Sequence, residues 1–160
     1  GVRAERPETE YGWILREPRV GGVCPVIGFV EKPEAGVAAM LHRNGALWNT
    51  FVLVASVAAL WQQLRQHLPR RTGAIEQAVR TDGLRRVYES IESADFSRDV
   101  LQRANRLGVV EVRGSGWSDW GTPERVFASL QGTDQLGVLK ARLGDPPEGF
   151  GEGHGTRVAI

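Results

Sequence analysis

Glu31-Lys32-Pro33 sets a carboxylate beside an ammonium at the end of an apolar run. A carboxylate accepts hydrogen bonds from neighbouring hydroxyls such as those of a sugar. An ammonium beside it neutralises a phosphate as a compact point charge. Lys32 and Lys140 are the only lysines among 20 basic residues, so a Lys here marks a place where Arg does not fit. The plainer reading is a solvated ion pair ahead of a helix. Asn49 sits inside the run Leu47–Val54, where a primary amide must find partners or cost about 1–3 kcal/mol. It is either satisfied by backbone at a strand end or aimed at a ligand hydroxyl. Asp119 lies between Trp117 and Trp120 in a loop bounded by Gly116 and Gly121. It is either a turn or cap residue or, joined by a second carboxylate, a ligand for Mg²⁺. Tyr11-Gly12 is the fourth stretch, because a glycine in a strand marks a bulge or the close approach of a ligand or backbone. Trp13, Trp117 and Trp120 are candidates to line a pocket.

Other chemistries are missing from the sequence. His42, His67 and His154 have no ligand spacing with each other or with Cys24. Neither a Gly-x-Ser-x-Gly elbow, a Walker loop nor a dinucleotide glycine fingerprint is present.

The elements that must position these residues are strands separated by helices. Tyr11–Leu15 and Pro25–Val30 read as strands, with Gly21-Gly22 between them as a hairpin turn. Pro33 suits a first helical turn, Val37, Met40 and Leu41 share a helix face, and Asn44-Gly45 stops it. Leu47–Val54 is the strongest strand signal, nearly all apolar as for a strand buried on both faces. Ser56 caps a helix whose face is Val57, Leu60, Trp61, Leu64 and Leu68, closed by Pro69. Residues 72–92 are helical, split at Asp82-Gly83. Ser97 caps a short helix, Leu107–Val112 is a strand, and Pro123 opens a last amphipathic helix after Thr122. The chain from about Asp145 reads as a poorly ordered tail. This alternation predicts an α/β layered fold.

Composition narrows the class. The chain has 160 residues, 41% of them hydrophobic and 24% charged, enough apolar material for one core. A formal net charge of +1 offers no field for nucleic acid or a membrane surface. A single cysteine excludes an internal disulfide and favours a reducing, cytoplasmic setting. No apolar run reaches the roughly 18–20 residues of a membrane span.

Taken in order, Tyr11-Gly12-Trp13-Ile14, Phe29-Val30-Glu31-Lys32-Pro33, Leu47-Trp48-Asn49-Thr50 and Gly116-Trp117-Ser118-Asp119-Trp120-Gly121-Thr122-Pro123-Glu124 resemble the sugar-phosphate nucleotidyltransferases, and within them the mannose-1-phosphate guanylyltransferase group. The resemblance runs from residue 1 to about 130. It implies the C-terminal, sugar-binding half of a Rossmann-like nucleotidyltransferase fold, with a mixed, mostly parallel sheet flanked by helices, and residues 131–160 as an extension.

The resemblance also implies roles. Tyr11 and Gly12 would meet the sugar, Gly12 through its backbone. Asn49 would contact it through its amide, Glu31 would hold its hydroxyls, Lys32 would bind its 1-phosphate, and Asp119 would bind Mg²⁺. The substrates would be a hexose 1-phosphate, mannose 1-phosphate in the first instance, and a nucleoside triphosphate, GTP in the first instance. A homo-oligomer is compatible with it.

The family's glycine-rich Thr-Arg-Leu signature is absent, as is the N-terminal Asp that shares the metal. Glu10 stands where relatives often carry Gly, and Thr50-Phe51 replaces Ser-Gly. The chain alone is therefore expected to be inactive. The alternative is a non-catalytic domain that binds a sugar phosphate or a partner.

Overall fold

A computed structural model describes residues 1–18 and 21–143. It divides the chain into two compact units, 1–113 and 114–160.

The first unit is built on five short strands: β1 (Val2–Arg3), β2 (Gly12–Arg16), β3 (Cys24–Glu31), β4 (Leu47–Trp48) and β5 (Gly108–Val109). Their order is β1-β4-β2-β3-β5, and every ladder is antiparallel. Beyond β5 the chain turns to β1: Gly1 donates its N–H to the Val110 carbonyl and accepts from Val112, and Val2 bridges Val112 in parallel. The hydrogen-bonded order thus returns on itself.

The mostly parallel sheet expected from the sequence is therefore corrected. The expected hairpin forms, pairing β2 and β3 from Gly12↔Glu31 to Arg16↔Val26, with Gly21 and Gly22 both at positive φ in the connection. Helix α1 (Ala35–Arg43) then carries the chain from β3 to β4 on the far side of β2. β3 and β4 run in the same direction, but β2 lies between them and opposes both. Strand–helix–strand alternation fixes the parallel sense of β3 and β4 without making them neighbours.

The packing follows the pleat. Ile14 pairs with both Phe29 and Leu47, and these three join Cys24, Leu101 and Val109 in the core cluster. Trp13, fully buried, shares the opposite face with its cross-strand neighbour Trp48, and the two rings meet edge to face at 6.2 Å. Trp13 is thus a core residue and lines no pocket. Its indole N–H donates to the Glu8 carbonyl at 2.8 Å. In α1, Ala38 and Leu41 face inward while Val37 and Met40 are exposed, so the buried stripe is narrower than the spacing suggests.

The run Leu47–Val54 departs most from expectation. Only Leu47 and Trp48 join the sheet; residues 49–56 have no regular structure, and Phe51, Val52 and Val54 are 58%, 76% and 98% exposed. Asn49 starts the departure by accepting the Phe51 N–H on its side-chain oxygen, and Phe51 adopts a φ of 58° that no strand permits.

Ser56 caps α2 (Val57–His67) as expected, accepting from Ala59 N–H. Pro69 opens α3 (Pro69–Arg80) rather than merely ending α2. Glu76 ties the two helices, accepting from the Trp61 indole at 2.8 Å and from Arg65 at 2.6 Å. Asp82-Gly83 separates α3 from α4 (Leu84–Ser90). The short α5 (Phe96–Asp99) is capped by Asp95 and not by Ser97, which turns inward and is buried. A 3₁₀ turn (Leu101–Arg103) follows and leads to β5.

In the second unit Thr122 caps α6 (Pro123–Ser129), with Pro123 at its first position. α7 (Asp134–Leu143) fills part of the segment read as an extension. The tail expected from Asp145 lies outside the described residues.

Candidate functional site

Four of the sequence candidates meet at one end of the three central strands. Gly12 begins β2, Glu31 ends β3 with Lys32 next to it, and Asn49 follows directly on β4. Glu31 is the cross-strand partner of Gly12 on one side. On the other side Asn49 donates its N–H to the Gly12 carbonyl at 2.7 Å. Paired residues project from the same face of a sheet, so Gly12, Glu31 and Asn49 continue the face that carries Ile14, Phe29 and Leu47.

Gly12 is required there by space. A Cβ on residue 12 would stand 2.6 Å from Glu31 Oε2, 3.1 Å from Phe29 Cζ and 3.2 Å from Asn49 Cβ. The Glu31 carboxylate therefore lies over the bare backbone of β2. The close approach inferred from a glycine in a strand is made by this side chain.

The Glu31 carboxyl is pushed above the usual carboxylate range. Burial is the largest cause, and the nearby Asp95 charge adds to it; the Ser97 hydroxyl, Lys32 and Arg98 act in the opposite direction. Oε2 is buried and has no hydrogen-bond partner among the described residues. An unsatisfied buried carboxylate oxygen is costly.

Lys32 leaves the strand with a φ of 46°, a left-handed conformation that only a few per cent of non-glycine residues adopt. Its N–H still donates to the Tyr11 carbonyl at 3.2 Å. The turn breaks the strand alternation that would send Glu31 and Lys32 to opposite faces. Half exposed, the Lys32 ammonium lies 3.6 Å from the Glu10 carboxylate. Such an exposed pair is worth little, so the ammonium is readily shared with an anion. Tyr11 contributes its backbone to this arrangement, while its ring is buried edge-on to Trp48 at 5.0 Å.

Asn49 divides its amide. The carbonyl oxygen accepts the Phe51 N–H at 3.0 Å, which is the backbone-satisfied reading, and the NH₂ group makes no hydrogen bond among the described residues. The chemistry of the set is thus a carboxylate acceptor, an amide donor and a cation around a backbone stripped of Cβ.

Asp119 belongs to the second unit. Arg125 of α6 holds it in a 2.7 Å ion pair through Oδ2. Trp117 is partly buried and Trp120 exposed. Among the described residues no three His, Cys, Asp or Glu side chains group as a metal site. A single carboxylate already engaged by a guanidinium does not by itself fit Mg²⁺, which demands near-octahedral oxygen coordination. Sequence reasoning missed Gln102, which accepts the Glu31 N–H at 3.3 Å from the segment after α4, and the buried Ser97 of that segment. The position of Ser97 before a short helix points to a cap, yet Asp95 caps α5 and Ser97 is buried.

The sequence signature of the nucleotidyl transferase family matches residues 1–135. A putative mannose-1-phosphate guanylyltransferase of Vibrio cholerae is 31% identical over 133 residues, covering 76% of this chain and 28% of the relative. A mannose-1-phosphate guanylyltransferase of Sinorhizobium fredii is 30% identical over 152 residues, covering 89% of this chain and 30% of that protein. A crystal structure described as mannose-1-phosphate geranyltransferase from Thermus thermophilus superposes with a TM-score of 0.64 at 36% identity, over 69% of this chain and 33% of that one. The chain spans less than a third of the length of these two curated relatives.

Proposed function

The chain belongs to the nucleotidyl transferase family, and on that premise we propose that it carries the sugar-phosphate-binding portion of an enzyme that joins a hexose 1-phosphate to a nucleoside triphosphate. Mannose 1-phosphate and GTP are the first substrates to try, since the curated relatives are mannose-1-phosphate guanylyltransferases. The observation that carries this reading is the Glu31 carboxylate, seated over Gly12 with a buried oxygen lacking a partner among the described residues. The same four ordered motifs that suggest the C-terminal half of such a fold support it.

In this reading Glu31 accepts hydrogen bonds from sugar hydroxyls, and the Asn49 amide donates to another. Lys32 exchanges Glu10 for the sugar phosphate and neutralises it. The bound phosphate then presents one oxygen for in-line attack on the α-phosphorus of the triphosphate, with pyrophosphate as the leaving group. Positioning and charge neutralisation supply the catalysis, with no covalent enzyme intermediate. Asp119 would hold Mg²⁺ only with a second carboxylate beside it and with Arg125 displaced. The chain alone binds without turnover. A cytoplasmic setting is part of this reading, favoured by the single cysteine. Among the described residues no helix is long and apolar enough to cross a membrane.

Calorimetric titration with mannose 1-phosphate tests the reading. Saturable binding is expected, weakened at least about tenfold by Lys32→Ala, the loss of a charge-assisted phosphate contact. Unphosphorylated mannose should bind far more weakly. Equal affinity for mannose and mannose 1-phosphate, or an unchanged Lys32→Ala variant, would overturn the assigned phosphate contact.

A further inference from the structure

Residues 51–55 behave as a strand without a neighbour. Phe51, Leu53 and Ala55 line an apolar groove of about 430 Å³ together with Leu60 and Leu64 of α2 and Phe96 of α5. Phe51 meets the Phe96 ring edge to face at 6.0 Å. The intervening Val52 and Val54 are 76% and 98% exposed. That alternation is the period of an extended chain with one face partly covered. Val52–Ala55 nevertheless make no backbone hydrogen bond among the described residues. Charge does not guard this edge either. Although 24% of the chain is charged, no charged side chain stands between Arg43 and Arg65. Natural sheets blunt such edges with charges or proline, and an unguarded edge is a template for another strand.

We propose that residues 51–55 pair, antiparallel and across a two-fold axis, with the same residues of a second copy of this chain. Such an interface is self-complementary. An axis normal to the paired strands keeps the two groove faces on one side, so residues of like parity stand opposite each other. Centred on Leu53, the pairing sets Val52 opposite Val54, and Phe51 opposite Ala55, a large ring against a methyl group. It supplies partners for alternate backbone groups of Val52–Ala55 and brings no like charges together. A charged peptide finds no complementary side chain between Arg43 and Arg65, whereas a second apolar strand is matched along its length. The area suits a weak dimer. Phe51, Val52, Leu53, Val54, Val57 and Leu60 are 40–98% exposed. At on the order of 150 Å² each, about two-thirds of it accessible, they offer roughly 600 Å², against about 800 Å² per partner in a standard interface.

The test is sedimentation equilibrium of the full chain over a range from about 1 to about 200 µM. The expected result is a reversible monomer–dimer equilibrium with a dissociation constant on the order of 10 µM. Val52→Lys and Val54→Asp each set a charge opposite a valine and should weaken the dimer at least about tenfold. Both side chains are open in the single chain, so the fold of the monomer is kept. In an equimolar mixture of the two variants the introduced ammonium and carboxylate stand opposite each other, and association should return to within about threefold of the wild type. A chain that stays monomeric at about 200 µM overturns the proposal and leaves the face to a different polypeptide. A dimer that neither variant weakens also overturns it, since that dimer assembles through another surface. A mixture no stronger than either variant alone excludes this pairing.

Discussion

Gly12 and Glu31 compete for the same space, and that competition separates binding from folding. In Gly12→Ala the new methyl group meets Glu31 Oε2, the movable end of a side chain, before it meets Phe29 and Asn49. We expect a destabilisation of about 1–3 kcal/mol by denaturant titration, together with loss of mannose 1-phosphate binding, because the carboxylate must swing off β2. Glu31→Gln should do the opposite to stability. The Glu31 carboxyl titrates above its unfolded value, so its contribution to stability is present at low pH and is lost as pH rises through the folded value. Neutralising it should therefore raise the melting temperature at pH 7–8, with the difference shrinking toward pH 4, while sugar binding weakens. A lower melting temperature for Glu31→Gln at pH 8 would contradict this. At this scale much was legible: Gly12 marks a close approach, Glu31 and Lys32 stand together, and Asn49 follows the strand. What the sequence did not reveal is that the close approach is made by Glu31 itself, since it depends on the β2–β3 register.

Local elements were readable where a cap or turn chemistry decides them. Ser56, Thr122 and Gly21-Gly22 each act at the place their types predict. Periodicity and apolar content decided less. Leu47–Val54 has the composition of a strand buried on both faces, yet it pairs for two residues and then leaves the sheet at Asn49. Composition measures the tendency to be covered, but a ladder also needs a neighbouring strand in register. The exposure of this run makes a plain prediction. Val54→Asp should change unfolding free energy by less than about 0.5 kcal/mol, whereas Trp13→Ala, in the neighbouring strand but fully buried, should cost about 3–5 kcal/mol. A loss of several kcal/mol in Val54→Asp would show that the segment is packed. Ser97 illustrates the reverse error. Its place before a short helix suggests a cap, but Asp95 two residues earlier takes that role and leaves Ser97 to the interior.

At the scale of the molecule, the candidates divide between two units. Gly12, Glu31, Lys32 and Asn49 belong to 1–113, and Asp119 belongs to 114–160, paired there with Arg125. The α/β class was legible from strands alternating with helices. The direction of the sheet was not, because it depends on β4 passing to the far side of β2, a choice made by the packing of whole strands and invisible to any local pattern. The order of the four motifs along the chain carried the family, while their placement in two units emerged only from the fold. Sugar-phosphate binding is thus expected to reside in the first unit. The most direct test is to follow backbone amide resonances during titration with mannose 1-phosphate. The account predicts saturable shifts concentrated at Tyr11–Trp13, Val30–Lys32 and Trp48–Thr50. It would be contradicted by shifts confined to the helices at 57–90, or by none at all at saturating ligand.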